Sequence, residues 1–195
     1  MNAAQARSKK IALASTSPRR RQLLAEAGID FTVAAPRVDE SAFAASGISA
    51  RAYAEQLALA KARSVAPAYP DRLVVGADTV VDAGGEIIGK PADEKDAERI
   101  IRRLFSAPHK VITAVAIVRP ATGTEMVESD TTVVYPRKLT DQQLRWHIRG
   151  GSWKDKAGAY AIQEKGDRFI ERIEGSMTNV MGLPMELLIR LLGQT

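Results

Sequence analysis

Leu73-Val74-Val75 is an unbroken apolar run, and a strand of that composition is stable only where both of its faces are covered. Such a strand needs helices on two sides, and the chain around it supplies them. Ile11 to Ala14 is a second short buried strand. Ser17 follows as an N-cap, Pro18 as the first helical residue and Gly28 as a stop, so 18–27 is predicted to be a helix. Phe31 to Ala34 is a strand, and 49–66 is a helix ended by Pro67. Val80-Val81 and Glu86-Ile87-Ile88 face each other across Ala83-Gly84-Gly85 as a hairpin. Asp93 caps a helix in which Ala97, Ile100, Ile101 and Leu104 recur at i, i+3, i+4, i+7. Val111–Val118 and Met126–Tyr135 are strands on either side of a turn at Thr122-Gly123. Thr140 with Gln143 forms a capping box for a helix ending near Gly150-Gly151. Phe169–Ile173 is a strand and Pro184 opens the last helix. The expected class is α/β, with a mixed sheet flanked by helices. The length of 195 residues, 45% hydrophobic, suits one domain with a full core, expected over 10–195 behind a flexible tail at 1–9.

Residue types absent from the chain narrow the chemistry. There is no cysteine and there are two histidines, His109 and His147, far apart in sequence. Disulfides, thiolate nucleophiles and sulfur-bound zinc are excluded, and a Ser-His-Asp triad or a histidine metal site is disfavoured. Any metal would be held by oxygen, which points to magnesium or manganese. The first ten residues lack the apolar segment of a signal peptide, and no run approaches the roughly 20 apolar residues of a spanning helix. The expectation is a cytoplasmic protein with no membrane association. A net charge of +5 favours an anionic partner or is simply a solvated basic surface. The charges are scattered and aromatics make up 5%, so no stable nucleic-acid complex is expected.

Three segments break local rules in ways that suggest chemistry. Ser15-Thr16-Ser17-Pro18-Arg19-Arg20-Arg21 joins a buried strand to a helix N-terminus, where free N–H groups favour an anion. Arginines in a first turn oppose the helix dipole, at a few tenths of a kcal/mol each if they merely face solvent. A bound phosphate chain would resolve the conflict. Lys61 interrupts the apolar stripe Ala54, Leu57, Val65, and its stem either snorkels to water or is held at a pocket rim to meet phosphate. Asp78 lies at what reads as the end of a buried strand. A carboxylate among apolar neighbours is costly unless paired, metal-bound or capping a turn through Thr79 or Gly76. It is the best single candidate for metal ligand or general base. Glu40 and Lys90 are further charged candidates, each also readable as plain loop charge. Gln163, near the small residues Ala157-Gly158-Ala159, offers donor and acceptor for a base edge or serves as a bonded core amide.

Taken in order, Leu13-Ala14-Ser15-Thr16-Ser17-Pro18-Arg19-Arg20, Leu59-Ala60-Lys61-Ala62, Gly76-Ala77-Asp78-Thr79, Gly89-Lys90-Pro91, the stretch from Asp155 to Gln163 and Val180-Met181-Gly182-Leu183-Pro184 resemble the Maf family of nucleotide pyrophosphatases. The match runs from residue 13 to about 185. The resemblance implies an elongated mixed sheet with two lobes and a central cleft, as in the inosine triphosphate pyrophosphatases. It also implies a homodimer, a divalent metal, and attack of water on the α-phosphate with pyrophosphate leaving. By position Asp78 matches the family's proton acceptor, and Arg19, Thr79 and Gln163 match the positions that set substrate preference. Arg-Thr-Gln there is similar to the dTTP/UTP subgroup, whereas a sister subgroup preferring methylated GTP carries Trp, Gln and Glu. Ser15, Ser17, Arg20, Lys61 and Lys90 would then grip phosphates, and Asp78 with Glu40 the metal. Two places depart from the family pattern: Glu164-Lys165-Gly166-Asp167 after Gln163, and Met177 where an aromatic is common. The alternative function is a nucleotide-binding regulator of cell division or septation acting through a protein partner.

Overall fold

The computed structural model describes residues 9–151, 153–154, 156–160 and 169–195. Seven strands form one mixed sheet: β1 (Ile11–Ala14), β2 (Phe31–Ala34), β3 (Leu73–Asp82), β4 (Ile87–Ile88), β5 (His109–Arg119), β6 (Thr124–Pro136) and β7 (Ile170–Glu174). Their order is β2-β1-β3-β5-β6-β7, with β4 paired to β3. β1 runs parallel to β2 and β3, and every other pairing is antiparallel. The helices are α1 (Pro18–Glu26), α2 (Ala50–Val65), α3 (Glu94–Leu104), α4 (Asp141–Arg149), α5 (Met177–Val180) and α6 (Met185–Leu192). Among the described residues no helix is long and apolar enough to cross a membrane.

The helix ends follow the capping chemistry of the sequence. Asp93 accepts from the Asp96 amide, and α3 carries Glu94 and Asp96 in its first turn and Arg102 and Arg103 in its last, complementing its dipole. Thr140 and Gln143 form both halves of the capping box of α4.

The strands hold one correction. The sequence divides 73–81 into two short strands, with Asp78 at the end of the first. The structure has a single ten-residue β3 with Asp78 in its middle. The reason is β5, which pairs with β3 from Val74↔Val118 to Asp82↔Lys110 and satisfies the backbone straight through Gly76-Ala77-Asp78-Thr79. Cross-strand pairing overrides weak local propensity. The other edge of β3 is different. β1 pairs with it only as far as Ala14↔Gly76, and β4 begins only at Val81↔Ile88. Between them, Ala77 to Val80 has no strand alongside on that edge among the described residues.

The core divides in a way that matches this gap. On one face of the sheet Val75 and Ala77 pack with α1 and α6, while Val81 packs with α3 and α4. These two clusters are the two lobes. Between them on the same face lie Thr79 and Thr113, partners in the β3–β5 register. The opposite face is covered by α2, whose Ala54, Ala58 and Ala62 are fully buried and bring the helix backbone onto β3. Gly76 is the contact point: a Cβ there would lie 2.2 Å from the Ala58 carbonyl oxygen and 2.8 Å from the Ala62 nitrogen. Because backbone atoms cannot yield as a side-chain tip can, Gly76→Ala is expected to cost about 2–3 kcal/mol. Chemical denaturation that returns wild-type stability for this variant would show that α2 can shift off the sheet.

Candidate active site

A cleft of about 650 Å³ opens at the uncovered stretch of β3. Side chains alternate along a strand, so Asp78 and Thr79 leave β3 on opposite faces, yet both line the cleft because no strand among the described residues closes that edge.

On the α2 face, Asp78 is 7% exposed and its Oδ1 accepts from Lys61 Nζ at 2.6 Å. The same nitrogen lies 2.7 Å from Glu40 Oε1. Glu40 opens a one-turn 3-10 segment, Glu40–Ala42, which Asp39 caps through the Ser41 amide. The Lys61 stem therefore does not snorkel to water, and its ammonium is held by two carboxylates rather than presented to phosphate. Asp78 is not a turn cap either. Burial drives the Asp78 carboxyl above the ordinary carboxylate value, opposed by Lys61 and Arg20 and assisted by Glu40. For Glu40 burial also acts upward, but the Lys61 hydrogen bond and charge, with Lys90 and Arg20, bring it below the ordinary value. Two carboxylates that share one cation are thus shifted in opposite directions, Asp78 upward and Glu40 downward.

On the other face Arg20 is bound to the protein through all three of its nitrogens. Its Nε donates to Gly182 O at 2.7 Å, Nη1 to Ala77 O at 2.9 Å and Ser15 Oγ at 3.2 Å, and Nη2 to Thr79 Oγ1 at 3.1 Å. Arg20 was expected to grip phosphate; four of its five donors instead stitch α1, β3 and the α5–α6 turn together. Ser15 is buried and its oxygen accepts from Ser17 N and Arg20 Nη1, which leaves its O–H to donate into the cleft. Ser17 occupies the N-cap position of α1, but its side chain makes no cap hydrogen bond, and α1 has no acidic residue in its first turn. The N-terminal amides of α1 are therefore left to an incoming anion.

Arg19 lines the cleft with no acceptor or ion-pair partner among the described residues, and burial lowers its pKa. Lys90 is exposed on the rim, also without a hydrogen bond or ion pair there. Gln163 lies outside the described residues, as does the segment 164–167. Three lining residues, Lys154, Lys156 and Tyr160, were not singled out from the sequence as candidates. Lys154 and Lys156 add positive charge to the lining. Tyr160 forms the wall beside them. Its hydroxyl bonds His109 Nε2 at 2.5 Å, and His109 Nδ1 bonds Leu104 O at 3.1 Å. A carbonyl only accepts, so Nδ1 carries the proton and Tyr160 donates; burial holds the His109 pKa down and keeps the ring neutral. Thr113, wholly buried beneath Thr79 and not itself part of the lining, was not singled out either.

Among the described residues no group of three or more metal-ligating side chains converges on a point. The pair Asp78 and Glu40 nevertheless fits a divalent cation. Two hard oxygen donors already meet at one positive centre, and magnesium is commonly held by one or two carboxylates with water and substrate phosphates completing the shell.

A family profile described as Maf-like protein matches residues 10–195. The dTTP/UTP pyrophosphatase of Symbiobacterium thermophilum is 44% identical over 185 residues, 95% of this chain and 93% of its own. That of Moorella thermoacetica is 45% identical over 176 residues, covering 90% of each. The dTTP/UTP pyrophosphatase of Bdellovibrio bacteriovorus is 42% identical, covering 93% of this chain and 96% of its own. A solved HAM1 protein from Coxiella burnetii aligns over 96% of this chain and 100% of its own at 13% identity and a TM-score of 0.48, too distant to bear on the site.

Proposed function

Because the chain belongs to the family of Maf-like proteins, we propose that it hydrolyses nucleoside triphosphates, dTTP and UTP ahead of others, to the monophosphate and pyrophosphate. The observation that carries this reading is the buried Asp78–Lys61–Glu40 cluster, set at the one stretch of β3 with an open edge and ringed by cations. A triphosphate brings about four negative charges, and Arg19, Lys90, the Ser15 hydroxyl and the α1 N-terminus offer the donors to hold them. Lys154 and Lys156 extend that positive rim.

Water attacks the α-phosphorus, the bond to the bridging oxygen of the β-phosphate breaks, and Asp78 accepts the proton of the attacking water. Lys61 donates to Asp78 Oδ1 and Glu40 Oε1, fixing both carboxylates and leaving Oδ2 and Oε2 without hydrogen bonds among the described residues. Asp78 and Glu40 would hold the divalent metal, which, when bound, supplies charge neutralisation at the phosphate oxygens. Arg19 and Lys90 stabilise the charge that develops on the departing pyrophosphate. Arg20, bound to protein acceptors, shapes the floor rather than gripping phosphate. The base is read on the Thr79 face, where Val180 and Met181 supply an apolar wall, with Arg19, Thr79 and Gln163 as the recognising residues. The proposal includes, on the strength of the resemblance, a homodimer resident in the cytoplasm and a role in cleaning the nucleotide pool.

Pyrophosphate release from a panel of triphosphates, with magnesium and with manganese, tests this reading. dTTP and UTP are expected well above ATP and GTP. Faster turnover of GTP or methylated GTP than of both pyrimidines would overturn it.

A further inference from the structure

Thr79 stands in the cleft at one end of a hydrogen-bond chain whose proton order is set by the groups at its ends. Arg20 Nη2, 3.1 Å from Thr79 Oγ1, can only donate. At the far end the backbone carbonyl of Asn179 can only accept, and Thr113 Oγ1 lies 2.9 Å from it. Thr113 has one proton, and that proton is committed to Asn179. The 3.0 Å bond between Thr79 and Thr113 must therefore be donated by Thr79. The reverse order would set two oxygen lone pairs against each other at 2.9 Å in a wholly buried place. Asn179 cannot swing its carbonyl away to permit the reversal. Its side-chain amide donates to Val111 O and Thr132 Oγ1, and its carbonyl also receives the Gly182 amide. With its proton spent on Thr113 and one lone pair taken by Arg20, Thr79 has a single lone pair left for a ligand. Gly182 leaves room beside it, since even a Cβ there would stand 3.4 Å from Thr79 Oγ1.

We propose that Thr113, which touches no ligand, is a positioning residue for specificity: it makes Thr79 an acceptor only, so that the cleft takes a base presenting an N–H at that point. The N3–H of uracil or thymine meets this demand. Cytosine held in the same pose presents the N3 lone pair, and two acceptors then face each other with no water between. The inference rests on the proposed reading of the base at Thr79, and it names the discriminated substrate class within it, uracil and thymine nucleotides against cytosine nucleotides.

The experiment compares kcat/KM for UTP, CTP and 3-methyl-UTP, in which a methyl group replaces the N3 hydrogen. For the wild-type protein UTP is expected above both others by about 10- to 100-fold. Comparable turnover of CTP and UTP by the wild type would overturn the proposal without any variant. Thr113→Val removes the acceptor and returns the Thr79 proton, which can then turn toward cytosine N3. The UTP-to-CTP ratio is expected to fall about tenfold, with Thr113→Ser restoring it. A structural role alone would lower both substrates together and leave the ratio as in the wild type, which in a folded variant overturns the proposal. Thr79→Val separates the two levels of the argument. If it leaves the ratio unchanged, the base is not read at Thr79 and the reading of the site fails. If it abolishes the ratio while Thr113→Val does not, the site stands and the proton order is wrong.

Discussion

Asp78→Asn is expected to lower turnover by about three orders of magnitude while the protein stays folded, within the range of about 10²- to 10⁴-fold that a positioned base contributes. The amide keeps the shape of the carboxylate and an oxygen for the Lys61 ammonium, which retains Glu40 as its charged partner. Folding therefore loses little. Catalysis loses the proton acceptor, at a site where burial has raised the carboxyl above its ordinary value and so made it a better base than an exposed aspartate. Because the loss falls on the transition state, kcat should drop far more than KM rises. The measurement is steady-state turnover of dTTP or UTP at saturating magnesium, beside a thermal melt. Near wild-type turnover would remove Asp78 from the mechanism.

Lys61→Ala is expected to destabilise the protein by about 3–5 kcal/mol, the scale for removing one partner of a buried pair. At this chain length that is a fall in Tm of roughly 10 °C. The sequence alone predicts the opposite, because a lysine in the stripe of Ala54, Leu57 and Val65 looks like a charge that an apolar helix face would shed. In the folded protein the ammonium neutralises Asp78, and its removal strands a carboxylate at 7% exposure. The pH dependence follows from the sign of that loss. Lys61 lowers the Asp78 pKa, so without it the folded-state value rises further above the unfolded one. The stranded group then prefers to be protonated, and the defect of the variant should shrink as the pH is lowered, measured without added metal. Replacing both partners by apolar residues, Lys61→Met with Asp78→Leu, should recover most of the stability, since half-exposed Glu40 can be solvated. Equal melting of Lys61→Ala and wild type at neutral pH would show that Asp78 is neutral or hydrated in the fold.

Much of the secondary structure was legible because its signals are local. Pro18, the Thr140–Gln143 capping box, the Asp93 cap and the 3.6-residue recurrence at Ala97, Ile100, Ile101 and Leu104 all act within a few residues of chain. Candidate site residues were visible for a related reason. Asp78 in an apolar run and arginines at the positive end of α1 violate local preferences, and such violations mark places where something other than the fold was selected.

What the local signals could not tell was which partner each of those residues meets. The continuity of β3 through Gly76-Ala77-Asp78-Thr79 depends on β5, and it moves Asp78 from a strand end to the middle of a strand beside an open edge. Arg20 looks the same in sequence as Arg19. Only the fold places Gly182 O, 162 residues on, against its Nε and turns it into a structural tie, while Arg19 lines the cleft with no such partner among the described residues. The sequence offered Lys61 either water or a phosphate but no carboxylate partner, and Thr113 only a place within the strand Val111–Val118. Local sequence determined where helices and strands begin, and which residue types break the pattern, since capping, turn and periodicity energies act over a few residues. Tertiary structure decided which charges are spent inside the protein and which remain for a ligand. That choice depends on acceptors tens to hundreds of residues away, and on burial that exists only once the sheet has closed on α2 and α6.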